Sequence, residues 1–244
     1  MNIKDTVVLI TSAAERVGRA MALAFAAKGA NVSFSYYEDR EPWQEAHGLI
    51  EAHGVKSLVT QADIGNTASI CNLVDRTMNT FGRIDILINS ASGPWVKTPF
   101  LELSEDLWDE VIRVNLKGTF LMSQKVAPHM LRQGGGVIIS ITDLSAFQTW
   151  PGFIHNAASK TGIVSLTKSM AVELAPTIRV NAIAPGTVLL PTNHTPEKKR
   201  WAEEKSCLKR VGDPSNVADM AIMLVENDFC TGAVYFVDGG RSLV

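Results

Sequence analysis

Cysteine is scarce in this chain, with three in 244 residues at positions 71, 207 and 230. An odd, widely scattered set builds neither a disulfide framework nor a zinc-binding pattern, so reduced thiols in a cytoplasmic protein are expected. The five histidines are equally dispersed and never form His-Glu-x-x-His, so no metal site is expected. Long apolar runs are also missing. The N-terminal one, Val7 to Ile10, is far too short for a signal peptide or a membrane span. Neither sign of charge dominates: 23 Lys and Arg against 25 Asp and Glu leave a net charge of −2. That balance gives no electrostatic basis for binding nucleic acid or an anionic membrane. No Pro/Gly/Ser-rich linker, repeat or low-complexity segment divides the chain, so residues 1–244 read as one α/β domain.

What is present is alternation. Strand-like runs occupy Thr6–Thr11, Asn31–Tyr36, Lys56–Gln61, Ile84–Asn89, the stretch up to Ile141, Ile178–Ala184 and Ala233–Val237. Helical patterns lie between them at Glu15–Lys28, Pro42–His53, Thr67–Phe81, Ser104–Leu131 and Ala157–Ala175. Strands that are apolar throughout and joined by helices predict a parallel sheet covered on both faces. In such a sheet a ligand sits beyond the carboxyl ends of the strands. The residues with chemical potential fall there, in segments 11–18, 36–40, 63–64, 89–95, 140–143 and 185–190.

Thr11 to Gly18 joins the first strand to the first helix. Its small residues, among them Ala13 and Gly18, let the backbone approach a pyrophosphate that the free amides at the helix start stabilise. Arg16 places a cation in the first helical turn, where the helix dipole disfavours one, and so points to an anionic partner such as a ribose 2′-phosphate. An acid ending the second strand would repel that phosphate, but the position is Tyr36. Together these favour NADP(H). Glu38 and Asp39 pull the other way or form a solvated turn. Asp63 follows the third strand and is suited either to accept from an adenine amine, with Ile64 over the ring, or to cap a turn. Asn89 and Ala91 belong to a small-residue segment suited to close cofactor contact. Asn115 interrupts an apolar helical stretch and needs buried partners.

The segment Asp143 to Lys160 carries groups that handle protons. Asp143 lies just past a strand end, and Asn156 and Lys160, four residues apart, project from one helical face. Trp95, Phe147 and Trp150 flank the expected mouth, where flat aromatics suit a planar substrate or simply fill a lid or core. The polar segment 191–210, with Lys198-Lys199-Arg200, has the character of a lid or of a solvated face.

Taken together, these landmarks resemble the short-chain dehydrogenase/reductase family along essentially the whole chain. They are Thr11 to Gly18, Asp63-Ile64, Asn89-Ser90-Ala91, Asn115, Ala157 to Gly162, Arg179 to Gly186 and Val237 to Gly240. Arg16 in place of the family's middle glycine, Asp143 in place of its serine, Ser92, and the ending Asp238 to Arg241 look like the pteridine reductase branch. The resemblance implies a single-domain Rossmann-like fold, a doubly wound parallel sheet binding NADP(H). It implies cofactor contacts from Thr11, Ala13, Arg16, Val17, Gly18, Tyr36, Asp63, Ile64, Asn89, Ala91, Lys160, Pro185, Gly186 and Val188. Catalytic positions fall on Asp143, Asn156, Lys160 and Asn115, and substrate contacts on Ser92, Trp95, Phe147 and Trp150. It implies a homotetramer built on the helices Ser104–Leu131 and Ala157–Ala175.

One departure bears on the chemistry. The family's tyrosine, thirteen residues after its serine and four before its lysine, is Asn156 here. Tyr36, Tyr37 and Tyr235 all lie outside the segment. An amide cannot give up a proton near neutral pH, and losing a general acid typically costs ~10²–10⁴ in rate. Asp143, His155, and a water held by Asn156, Asn115 and Lys160 are the available substitutes, with Asp143 plus water favoured. The expected activity is reduction of a planar carbonyl or C=N, pterin- or imine-like. A catalytically silent NADP(H)-binding sensor or partner subunit is the alternative. On this reading Asn156→Tyr restores a working acid if the ring fits.

Overall fold

The computed structural model of the chain describes residues 1–191 and 193–244. Seven parallel strands form its centre: β1 Val7–Ile10, β2 Asn31–Tyr36, β3 Ser57–Gln61, β4 Ile86–Asn89, β5 Gly136–Ile141, β6 Ile178–Pro185 and β7 Val234–Val237. They lie in the order β3-β2-β1-β4-β5-β6-β7. The order therefore reverses between β1 and β4, whose carboxyl ends open a crevice.

Two cores result from the period-two alternation of strand side chains. Val8, Ile10, Val32, Phe34, Ile86 and Ile88 face one layer, formed by α1 (Arg16–Ala27), α2 (Trp43–Glu51) and α8 (Pro214–Glu226). Leu9, Leu87, Ile138 and Val180 face the other layer, where Ile70 and Leu73 of α3 (Thr67–Phe81) and Met122 and Val126 of α5 (Gly118–Arg132) are buried. Ala171 of α6 (Ile154–Leu174) closes that layer. The doubly wound parallel sheet expected from the alternation is the architecture observed.

Two elements differ from the sequence expectation. The helix expected as one piece over Ser104–Leu131 is α4 (Glu105–Val111), a π-helical stretch Ile112–Lys117, and α5. Asn115 sits inside the π stretch, so the irregularity coincides with the buried polar residue. Helix α8 was not assigned from the sequence at all. Its signal is present, however: Asp213 caps it by accepting from the Ser215 amide, Asn216 reaches back to the Asp213 amide, and Pro214 takes the first helical position. Within the segment read as a lid lies α7 (Pro196–Glu204), capped by Thr195. Among the described residues no helix is long and apolar enough to cross a membrane.

Candidate active site

One cleft of about 1360 Å³ runs along the carboxyl ends of the strands. Of the residues singled out from the sequence it brings together Arg16, Val17, Gly18, Ser92, Trp95, Asp143, Trp150, Lys160, Pro185, Gly186 and Val188. It also takes in Lys97, Trp201, Lys205 and Arg241, which the sequence reading did not place at the site.

The first turn fits a dinucleotide phosphate. Glu15, which precedes α1, makes no side-chain cap, and no acid stands in the first turn. By contrast α3, α4, α7 and α8 are all capped by their own side chains. The leading amides of α1 therefore lack an internal acceptor where Arg16, Val17 and Gly18 line the cleft. Ser12 and Arg16 hold left-handed backbone, with φ of 55° and 56°. Arg16 stands where the resembled family has its middle glycine. Such a conformation costs a non-glycine residue about 1–3 kcal/mol, so the turn keeps its shape without the residue that makes it easy. At Gly18 a Cβ would lie 2.2 Å from the Ser12 carbonyl oxygen, which fixes a glycine there.

Several expected cofactor contacts are engaged elsewhere. The Thr11 hydroxyl accepts from the Ser90 and Ala91 amides at 2.9 and 3.0 Å, tying the end of β1 to that of β4. Ala13 is buried and bonds the Ser35 carbonyl. Asp63 accepts from Arg113 at 2.8 and 3.0 Å and from the Gly65 amide, so the turn-capping role expected as its alternative is the one its geometry shows. Ile64 is buried against Gly118. Tyr36 stacks on Trp43, with ring centroids 5.3 Å apart. Asn89 is buried and donates to the Ser123 and Ser140 hydroxyls.

The proton-handling groups separate into two sets. Lys160 and Asp143 share the cleft. The Lys160 ammonium is buried and donates to the Ile141 carbonyl at 3.1 Å. Burial holds its pKa below the ordinary lysine value, opposed by the charge of Asp143. Asp143 Oδ1 accepts from the Ser145 amide and hydroxyl at 2.7 and 2.5 Å, and Oδ2 has no partner among the described residues. Behind this surface stand Asn156, Asn115 and His155. Asn156 is fully buried, lines no part of the cleft, and donates to the Pro94 carbonyl at 3.4 Å. The placement expected for it, facing the reacting centre beside Lys160, is thus corrected: it anchors the loop after β4.

Asn115 is similarly occupied. It accepts from the Gly93 amide at 2.7 Å and donates to Ser159 at 2.9 Å, so its side chain is a brace between loop and helix α6. His155 is fully buried, and burial lowers its pKa against a weaker opposing effect of the Val96 backbone. It is a packing histidine away from the cleft.

The far wall is aromatic. Trp95 stacks on Phe153 with centroids 4.8 Å apart and meets Trp150 edge-on at 6.2 Å. Phe147, expected to contact substrate, lies outside the cleft and packs on Phe236 instead. Its place is taken by Trp201 of α7, which the polar appearance of segment 191–210 concealed. Among the described residues no group of three or more His, Cys, Asp or Glu is placed to hold a metal ion.

A family model described as enoyl-(acyl carrier protein) reductase matches residues 13–242. The chain is 37% identical over 250 aligned positions to 3β-hydroxysteroid dehydrogenase 1 of Eggerthella lenta, covering 99% of this chain and 95% of the relative. It is 34% identical to a 3-oxoacyl-acyl-carrier-protein reductase FabG of Staphylococcus epidermidis, over 95% of this chain and 97% of the relative. Among solved structures, a 7α-hydroxysteroid dehydrogenase complexed with NADH and 7-oxo glycochenodeoxycholic acid superposes with a TM-score of 0.91. The two are 30% identical, and the match covers 98% of this chain and 96% of that one.

Proposed function

The chain belongs to the short-chain dehydrogenase/reductase family, and from that premise we propose an NADP(H)-dependent reductase of a planar carbonyl or C=N group, pterin- or imine-like. The observation that carries the reading is a single cleft holding the uncapped start of α1 with Arg16, the Lys160–Asp143 pair and a wall of indoles. A bound reduced nicotinamide supplies the hydride. Arg16 pairs with the 2′-phosphate, Tyr36 leaves the end of β2 without an acid, and Pro185, Gly186 and Val188 border the cofactor. Lys160 orients the nicotinamide ribose from its buried position. Charge that develops on the acceptor atom is met by a proton delivered through Asp143 Oδ2 and water.

Oxidation of NADPH with a panel of pterins, cyclic imines, quinones and activated ketones tests this. Turnover of at least one planar acceptor, with NADPH preferred over NADH by tenfold or more, is the expected result. A second reading is favoured by Asn156 being tied to Pro94 rather than to the cleft: a protein that binds NADP(H) without turning it over. Tight NADPH binding with no acceptor reduced would establish it.

The reading extends to assembly and place. Phe120 and Leu131 of α5 and Val172 of α6 are exposed apolar residues on helices that the family uses between subunits, which supports a homotetramer. A monomer in sedimentation at micromolar concentration would refute that. Segment 191–210 acts as the substrate lid, and the scattered thiols suit the cytoplasm.

A further inference from the structure

We propose that the substrate carries a carboxylate and that Arg241, whose guanidinium lies over the rings of both Trp150 and Trp201, binds it. Four separate parts of the chain supply this corner: the loop after β4, the segment before α6, helix α7 and the C-terminal turn. The Arg241 Cζ lies 5.2 Å from the Trp150 ring centroid and 5.1 Å from that of Trp201. Indoles on a guanidinium occupy its faces and leave its edge, where all five N–H donors lie, for a planar partner. One edge donor, on Nη1, is given to the Thr187 hydroxyl. A carboxylate matches the remaining fork with two parallel hydrogen bonds.

The charges around it are arranged for an anion. Lys97, Lys198 and Lys205 line the same cleft and form no ion pair among the described residues. Their neighbours on α7 behave differently: Lys199 pairs with Glu203 and Arg200 with Glu197. On α7 the cations off the cleft, Lys199 and Arg200, are paired, and the one lining it, Lys198, forms no ion pair among the described residues. Among the described residues Glu15, Asp143 and the terminal carboxylate of Val244 stand on the cleft lining, against six cations. Asp238, the one acid bearing on Arg241, is already held by the Gly240 and Ser242 amides. Arg241 is half-buried, so an opposite charge is screened less by water there than at the surface.

The inference rests on the reductase reading only for the substrate's second feature, its carbonyl or C=N, and the two are tested separately. The probes are 4-acetylbenzoate and its methyl ester, flat ketones that differ in the negative charge and by one methyl group. Their binding is measured by calorimetry and by quenching of tryptophan emission, with the protein saturated in NADP⁺ and again without cofactor. We expect the acid to bind at least tenfold more tightly than the ester, with the preference shrinking as salt is raised. In Arg241→Leu the preference should fall to about twofold or less while NADP⁺ affinity stays within twofold. Because Arg241→Leu also loosens the two indoles, Lys198→Gln with Lys205→Gln, on an exposed element, serves as the second variant and should lower the preference two- to fivefold. Equal binding of acid and ester by the unmodified protein, or an unchanged preference in both variants, overturns the proposal. Failure of NADP⁺ to bind would refute the cofactor reading instead and leave the acid-to-ester ratio intact as a test.

Discussion

The two ends of the cleft are built in opposite ways. At the cofactor end, one short run of sequence does most of the work: Ser12 to Gly18 supply the turn, the uncapped amides and the cation. At the substrate end, Trp95, Trp150, Trp201 and Arg241 come from positions far apart in the chain and meet only through packing. The first is a local conformation that the backbone holds. The second exists only while helix α7 and the C-terminal turn are docked. On the proposed function, binding of the cofactor would thus be separable from recognition of the substrate, with Lys160 and Asp143 at the junction.

The largest expected effect tests that junction. Asp143→Asn keeps the shape and replaces the free carboxylate oxygen with an amide. It should lower NADPH-dependent reduction by ~10²–10⁴ with NADPH affinity unchanged in a direct binding titration. Undiminished turnover would move proton delivery to bound water alone.

Next comes the cofactor end. Arg16→Ala removes a charge-assisted contact of ~1.5–3 kcal/mol, so NADPH binding should weaken by tenfold or more and NADH binding hardly at all. Equal losses for both cofactors would make Arg16 a structural residue of the turn. The comparison would then lose its charged marker.

A third test probes the layer behind the cleft. From the sequence, Asn156→Tyr promised a restored acid. The structure alters that expectation, because the amide is fully buried and donates to the Pro94 carbonyl, one residue from the cleft-lining Gly93 and Trp95 rather than on the cleft surface. Overpacking there should cost about 1–3 kcal/mol, seen as a lower thermal midpoint. A tenfold rise in activated-ketone reduction accompanying it would show that the loop yields and admits the phenol to the cleft.

The smallest effect concerns Lys160 and stability. Its folded pKa is depressed by burial, so between that value and the ordinary lysine value the unfolded chain binds more protons than the folded one. Stability from this group therefore rises with pH across that window and is lowest below it. Lys160→Met should raise stability at neutral pH by about 1 kcal/mol and remove that alkaline gain in a denaturant series. A stability loss instead would mean that the bond to Ile141 outweighs the burial of the charge.

How much was legible in advance follows the same division. The strands were readable because each is a short apolar run whose alternate residues serve two cores, as in Val8, Leu9 and Ile10. Helix α3 was found at its full extent, Thr67–Phe81, since Asn66 caps its start and Gly82 turns left-handed at its end. Helix α8 is not legible from periodicity although Asp213 and Pro214 mark its start, because a polar stretch precedes it. The π-helical turn at Asn115 has no local signature. It arises where Gly93 and Ser159, from other segments, claim the side chain.

The sequence by itself determined the alternation of elements, the sheet they form, and the phosphate-ready turn with its arginine, since all of these rest on periodicity, caps and neighbouring residues. Tertiary structure alone decided which side chains reach the cleft. Asp63 was claimed by Arg113, fifty residues away, and Asn156 by the Pro94 carbonyl. Arg241 was brought over the rings of Trp150 and Trp201. A side chain's nearest neighbours in these cases are set by how helices and loops dock, and a chain read one residue after another carries no measure of that distance.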